Sequence, residues 1–347
     1  MLNFPHPSSP NRRNLVDLHV NGLTLPARAG AAAEVVNFSS ESLTLDQVRR
    51  ATEGLVAAGT RRYLATLITS SPESMIHNVR LIADAMKQPW GEPIMGIHLE
   101  GPFFSVATRG AHPKNLVREE ADIGLFRRFF DASDGKVVLM TVSPAIRGAA
   151  PFIEQIARMG VVVSIGHHNA VVSQIEDAFA AGATGVTHAG NAWSKEEPPD
   201  HRKNMEVAAQ LLDPNAFVMI IPDGVHVDRN FIKYAFIMVE SRKPNRTIWV
   251  SDGSAFAGAP AGRYEFGGEP VDIGPDSSGQ IRTFPLTGSY LTISQCLEVL
   301  ASMKAVPDEA ILPGATTIPL DFMSSALKRI DRFPDLSSFS EHEQSNP

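Results

Sequence analysis

Cysteine is nearly missing from this sequence: one residue, Cys296, in 347. A lone thiol cannot close an internal disulfide, so a disulfide-stapled secreted scaffold is excluded and a reducing, cytoplasmic compartment is expected. No apolar run reaches the ~18 residues needed to cross a bilayer, and the stretch from Met1 to Asn14 has no apolar core of the signal-peptide kind. Neither a membrane span nor a targeting segment is therefore expected. Long basic runs are missing too, and the formal net charge is −7. That balance argues against nucleic acid or an anionic membrane as a partner. Neither a GxGxxG turn nor a GxxxxGK[ST] loop follows any strand candidate, which removes the main nucleotide-binding readings.

What is present is an ordinary globular composition, 43% hydrophobic and 20% charged, long enough for a large core. Short apolar segments alternate with amphipathic ones from residue 15 onward, the signature of β/α units around a parallel sheet. Eight strand candidates emerge: Leu15 to Val20, Arg62 to Thr66, Ile94 to Glu100, Val137 to Val142, Val161 to Ile165, Gly185 to His188, Phe217 to Ile221 and Thr247 to Ser251. Helical stretches separate them, among them Thr44 to Ala58, Ser71 to Met86, Glu119 to Ala132, Val171 to Ala180 and Arg229 to Ser241. Ser71 followed by Pro72 places a capping residue before a proline at the first helical position. Eight such units predict an α/β fold closed as a (β/α)8 TIM barrel rather than an open doubly wound sheet. The expected organisation is an N-terminal extension over 1–14 and a barrel over 15–332. A hairpin-like insertion falls near 258–285, closing helices over Tyr290 to Met303 and Thr317 to Arg329, and a mobile polar tail over 333–347.

The third strand candidate carries the first sign of chemistry. Alternate residues of a strand share a face, so His98 and Glu100 point one way, and Gly101-Pro102 then ends the strand. A buried carboxylate there is costly unless something positive compensates it, and a metal ion is one such partner. Metal-capable residues recur at the other strand ends, where barrel active sites are built. His19 and Asn21 close the first strand, His167 and His168 follow the fifth, His188 the sixth, Asp223 and His226 the seventh, and Asp252 the eighth. One carboxylate with two imidazoles makes an open site that leaves a position for water, and Glu100, His167 and His188 are the ligands this pattern selects. Zn²⁺ suits the set, with Fe²⁺, Co²⁺ and Mn²⁺ as alternatives. Asp252 is then the candidate acid/base and His226 a donor to the oxyanion or to substrate. His19 stays open between a metal position and an imidazole that lines the site. His98, two residues deeper than Glu100, is expected to hydrogen-bond inside the barrel. His168 is expected to pack or to meet substrate, and Asp223 to shape its loop.

Taken in order, HLEGP, GAH, GHHNA, THAGNA, PDGVHV, SDGSAFAGAPAGRY and LTGSYLT resemble the N-acetylglucosamine-6-phosphate deacetylases of the amidohydrolase superfamily, over most of the chain. The resemblance implies a metal-dependent barrel that hydrolyses the acetamide of an N-acetylated amino-sugar phosphate and releases acetate. It implies Glu100, His167 and His188 as metal ligands and Asp252 as acid/base. His112, Asn191, Ala192, His226, Leu286, Thr287 and Gly288 are implied around the sugar, and a homodimer as the assembly.

Three departures from the family pattern are visible. The superfamily's His-x-His at the end of strand one is His19 and Asn21 here, which favours one metal over two. The small β-sandwich that members build from segments before and after the barrel is not recognisable in the sequence. The arginine that contacts the sugar phosphate has no direct counterpart near Pro199, where Arg202 and Lys203 are the nearest cations. Two rival readings follow, an amidohydrolase of another amide and a non-catalytic sugar-binding barrel.

Overall fold

Nearly every side chain of the strand candidates is buried, as a parallel sheet covered by helices requires. The computed structural model describes residues 14–27, 33–191, 207–266, 269–277 and 280–334. Eight strands form one parallel sheet in the order of the chain: β1 (Leu15–Val20), β4 (Thr60–Ile68), β5 (Ile94–Glu100), β6 (Val137–Val142), β7 (Val162–Ile165), β8 (Ala183–Val186), β9 (Phe217–Ile220) and β10 (Thr247–Trp249). A parallel bridge from Val20 to Gly253 brings the last strand back beside the first, and the Asn21 amide donates to the Gly253 carbonyl at 2.8 Å. The barrel therefore closes at the carboxyl end of β1. Sequence periodicity found these strands within a few residues.

The boundary differences have a local cause. The sixth and eighth barrel strands stop before His188 and before Ser251, short of the expected ends. Both His188 (φ 30°) and Asp252 (φ 48°) have left-handed backbone, as does His167 (φ 51°). A non-glycine residue in that region cannot continue a ladder and carries strain of order 1–3 kcal/mol. Three chain turns thus swing candidate functional side chains out of the sheet and over the barrel mouth.

The helices cover the outside. Thr44 and Gln47 form a capping box on Leu45–Ala57, and the Ser71 side chain accepts from the Ser74 amide at the start of Pro72–Met86, with the proline in the first turn. Ile123–Ala132, Ala149–Arg158, Val172–Ala180 and Arg229–Arg242 follow in alternation, and Ile293–Met303 and Thr317–Arg329 close the chain.

Two small sheets stand outside the barrel. The expected hairpin near 258–285 is a three-stranded antiparallel sheet, β11 (Gly262–Phe266), β12 (Glu269–Pro275) and β13 (Ile281–Phe284). The sequence reading assigned no strands to β2 (Gly22–Leu25) and β3 (Glu34–Asn37), which pair antiparallel. Val35 of β3 packs with Phe256, Val271, Ile273 and Tyr290 in a core separate from that of the barrel. Residues 1–13 and 335–347, which hold nearly all of the expected extension and tail, lie outside the described residues. Among the described residues no helix is long and apolar enough to cross a membrane.

Candidate metal centre and active site

Glu100, the last residue of β5, is 3% exposed and faces four imidazoles. His167 and His188 both approach its Oε1 through Nε2, at 3.0 and 2.8 Å. His19 Nε2 lies 3.1 Å from Oε2, and His112 Nε2 3.7 Å from the same oxygen. Burial alone would raise the carboxyl, but the charge on His19 beside it is the foremost effect that outweighs burial and holds Glu100 well below the usual carboxylate range. The acid is ionised, and a buried anion of this kind needs a partner charge.

Hydrogen bonds at the far ring nitrogens separate the imidazoles by role. His167 Nδ1 lies 2.9 Å from the Thr108 carbonyl oxygen. A carbonyl only accepts, so the proton sits on Nδ1 and a neutral His167 turns its Nε2 lone pair toward Glu100. Two acceptors 3.0 Å apart repel unless a cation lies between them. This arrangement of main-chain carbonyl, imidazole and carboxylate is the one metal-binding histidines use, and the residues present fit a divalent ion. Phe104 stacks on the His167 ring at 4.5 Å and fixes its plane. His112 is the reverse case. Its Nδ1 accepts from the Thr69 amide at 3.2 Å, so its proton is on Nε2 and aims inward. Burial pushes the His112 pKa down to about 3, so the ring is neutral and a donor. Ligand atoms of His19, Glu100 and His188, and of Glu100, His112 and His167, lie within 4.8 Å of one another. The tautomers favour His167 over His112 as a ligand.

His19 bridges two carboxylates, with Nε2 3.1 Å from Glu100 and 3.2 Å from Asp252 Oδ1. Burial would lower it, but Glu100 and Asp252 outweigh that and raise it to about 9, so it is a charged donor. Asp252 is further held by Asn21, whose Nδ2 donates to Oδ1 at 2.7 Å. Across the mouth, His226 Nδ1 meets Asp223 Oδ2 at 2.7 Å, and its buried Nε2 has no partner among the described residues.

These groups line a cavity of about 440 Å³, a size suited to a small ligand. Its wall includes Glu100, His167, His188 and Asp252. The residues expected around a sugar, His112, Asn191, His226, Leu286, Thr287 and Gly288, also line it. Ala192, Arg202 and Lys203 lie outside the described residues. His19 sits beneath the wall rather than in it. His98 hydrogen-bonds inside the barrel, as expected, to Thr141 at 2.8 Å and Thr66 at 3.2 Å. His168 packs away from the mouth, its Nε2 3.1 Å from Gln210 Oε1.

Sequence reasoning missed three features. Asp223 does shape its loop, accepting from the Val225 and His226 amides at 2.9 and 3.0 Å, but its second oxygen also holds the His226 ring. The Asp-x-x-His spacing in Asp223-Gly224-Val225-His226 carried that signal. The Thr108 carbonyl left no trace, because a main-chain acceptor has no residue identity. Phe266 of β11 reaches the cavity wall from a segment read as a loop or small hairpin.

No family model matches the chain. The N-acetylgalactosamine-6-phosphate deacetylase of Escherichia coli O157:H7 is 29% identical over 322 residues, covering 90% of this chain and 79% of that relative. The N-acetylglucosamine-6-phosphate deacetylase of Bacillus subtilis strain 168 is 30% identical over 264 residues, 75% of this chain and 62% of the relative, so the chain spans less than two thirds of that protein. A solved structure of a variant N-acetyl-D-glucosamine-6-phosphate deacetylase from Mycobacterium smegmatis, in complex with N-acetyl-D-glucosamine 6-phosphate, superposes with a TM-score of 0.76. It is 28% identical and covers 90% of this chain and 77% of that one. Fold, motif order and these likenesses agree: the chain belongs to the N-acetylglucosamine-6-phosphate deacetylase family of metal-dependent amidohydrolases.

Proposed function

We propose that this chain hydrolyses the acetamide of an N-acetylhexosamine 6-phosphate, giving acetate and the free amino sugar. The observation that carries the reading is the pairing of Glu100 with a tautomer-fixed His167 and with His188 in a cavity that Asp252 also lines. Glu100, His167 and His188 would hold one divalent ion, Zn²⁺ first and Fe²⁺, Co²⁺ or Mn²⁺ next. When bound, such an ion polarises a carbonyl and lowers the pKa of a water.

The remaining steps belong to the chain's own residues. Asp252 takes the proton of the attacking water as the water oxygen bonds to the acetyl carbon. It then returns that proton to the nitrogen, and the C–N bond breaks to release the amine. Asp223 accepts from His226 Nδ1 and favours the protonated ring, which then donates its Nε2–H to the developing oxyanion. His112 offers its Nε2–H to substrate, and the turn at Leu286, Thr287 and Gly288 walls the sugar. The E. coli relative is named for the galactose epimer, so N-acetylgalactosamine 6-phosphate is the second reading for the sugar. A homodimer and a cytoplasmic location belong to the same reading, the latter with the phosphorylated substrate and the buried Cys296.

The test is acetate release by metal-loaded protein from N-acetylglucosamine 6-phosphate, its galactose epimer and both unphosphorylated sugars. Turnover of a 6-phosphate supports the proposal. Turnover of the unphosphorylated sugars alone removes the phosphate from it, and no acetate from any of the four overturns it.

A further inference from the structure

Asn21 occupies the position where a second imidazole would stand in a two-metal site, yet nothing about its surroundings is makeshift. Its main chain is tied on both sides of the barrel seam: the amide donates to Gly253 at 2.8 Å, and the carbonyl accepts from Phe38 at 3.0 Å. The side chain is 6% exposed and lines the cavity. A carboxylate only accepts, so the contact of 2.7 Å with Asp252 Oδ1 fixes the amide with Nδ2 toward Asp252. His19 Nε2 adds a second donor to the same oxygen at 3.2 Å. Asp252 Oδ2 has no hydrogen-bond partner among the described residues. One carboxylate oxygen is thus anchored twice, and the other is left toward the cavity.

We infer that Asn21 is a positioning residue for Asp252, holding Oδ1 so that Oδ2 is the atom that takes the proton from water and delivers it to the leaving nitrogen. Asn21 touches neither the acetyl group nor the leaving atom in this account; it acts through the carboxylate. Asp252 lies past the end of β10 with left-handed backbone (φ 48°), and the Ser289 amide holds its carbonyl at 2.8 Å; its main chain is thus fixed, while the orientation of the carboxylate is left to Asn21 and His19. The inference rests on the proposed deacetylase reading, with Asp252 as its acid/base.

The demand on Oδ2 differs between leaving atoms. An amide nitrogen departs only once protonated, whereas the oxygen of an acetyl ester departs with far less proton transfer. Both substrates need the water activated. The experiment compares Asn21→Ala and Asn21→Asp with the parent protein, each metal-loaded, on the N-acetyl hexosamine phosphate and on its 2-O-acetyl counterpart. Asn21→Asp keeps the shape but replaces the donor with a carboxylate facing Asp252, so it removes the hydrogen bond and adds repulsion, and it keeps the test readable if the alanine variant fails to fold.

The expected result is a roughly 10- to 100-fold fall in kcat on the amide, the scale of a lost charge-assisted hydrogen bond. KM should stay within about twofold, bound metal should be unchanged, and the loss on the ester should be several-fold smaller. Equal losses on amide and ester would overturn the inference in favour of a general structural role. Loss of bound metal in Asn21→Asp would overturn it in favour of a role in the metal site. If the parent protein releases acetate from no amide, the deacetylase reading itself has failed, a result distinct from both.

Discussion

His226 and Asp223 form a buried pair, with Nδ1 and Oδ2 2.7 Å apart, and the Ser289 hydroxyl donates to the same carboxylate oxygen at 2.8 Å. The other oxygen is filled by the Val225 and His226 amides. Asp223 is thereby fixed in its loop and holds one imidazole, leaving the ring's Nε2 at the cavity wall. Asp223→Asn should lower kcat/KM roughly 10- to 100-fold, by removing the charge that favours the protonated His226 ring and by loosening its orientation. Steady-state kinetics with metal content measured on the same sample checks this, and an unchanged kcat/KM would remove His226 from the chemistry.

The same pair sets a pH window for stability. Burial would lower His226, but the Asp223 charge and hydrogen bond outweigh it and raise the imidazole above its ordinary value. A raised histidine contributes stability that is complete below about pH 6.5 and is lost as the pH rises through the raised value. Burial would raise Asp223, but the His226 charge and hydrogen bonds lower it. A depressed carboxyl contributes stability that is present above its ordinary pKa of about 3.8 and lost as the pH falls through the lowered value. The pair therefore contributes most between roughly pH 4 and 6.5. Melting curves of the parent and Asp223→Asn should differ most in that window and converge toward alkaline pH; a difference that grows with rising pH contradicts the pairing.

Much of the fold was legible because its signal is periodic. Buried parallel strands such as Val137–Val142 are continuous apolar runs, and the caps at Thr44 and Ser71 are written in residue type. The expected strand ends at His188 and Ser251 lie past the observed ones, because the left-handed backbone at His188 and at Asp252 follows from tertiary contacts rather than from propensity. The strands β2 and β3 were hidden because they are only four residues each, and β11 to β13 were read as no more than a loop or small hairpin because glycine and proline punctuate that stretch, which packs on a small core of its own. At the site, residue identity picked out Glu100, His167, His188 and Asp252, which the fold brings to one cavity. It could not reveal which imidazole nitrogen carries a proton, since that is decided by the Thr108 carbonyl and the Thr69 amide.

Glu100 offers the sharpest test of the metal assignment. Glu100→Gln keeps the shape but removes the anion that two imidazoles approach through one oxygen. Protein purified without added metal should hold about one divalent ion per chain in the parent and little in the variant. Chelation should lower the parent's Tm and leave the variant's nearly unchanged, because only a form that binds metal is stabilised by it. Elemental analysis and paired melting curves read both quantities. Full metal occupancy in Glu100→Gln would exclude Glu100 as a ligand.

Arg329 separates stability from chemistry at the opposite end of the barrel. It lies in the last turn of Thr317–Arg329 and donates to three main-chain carbonyls: Gly135 at 2.8 Å, Val137 at 2.9 Å and Gly160 at 3.1 Å. Its guanidinium also stands 5.2 Å from the Phe130 ring. One side chain thereby ties the closing helix to the start of β6 and to the turn before β7. Partial exposure screens these bonds, so Arg329→Ala should cost about 1–3 kcal/mol rather than the sum of three charged hydrogen bonds. Arg329→Lys should recover little of it, since an ammonium cannot reproduce the planar fork that meets three carbonyls at once. Denaturant unfolding measures the loss. The kcat of the folded fraction and its metal content should stay at the parent's values, because catalytic groups in a barrel sit at the carboxyl ends of the strands and Arg329 holds the amino ends. A fall in kcat at full metal occupancy would show that strain at the base of the barrel reaches its mouth.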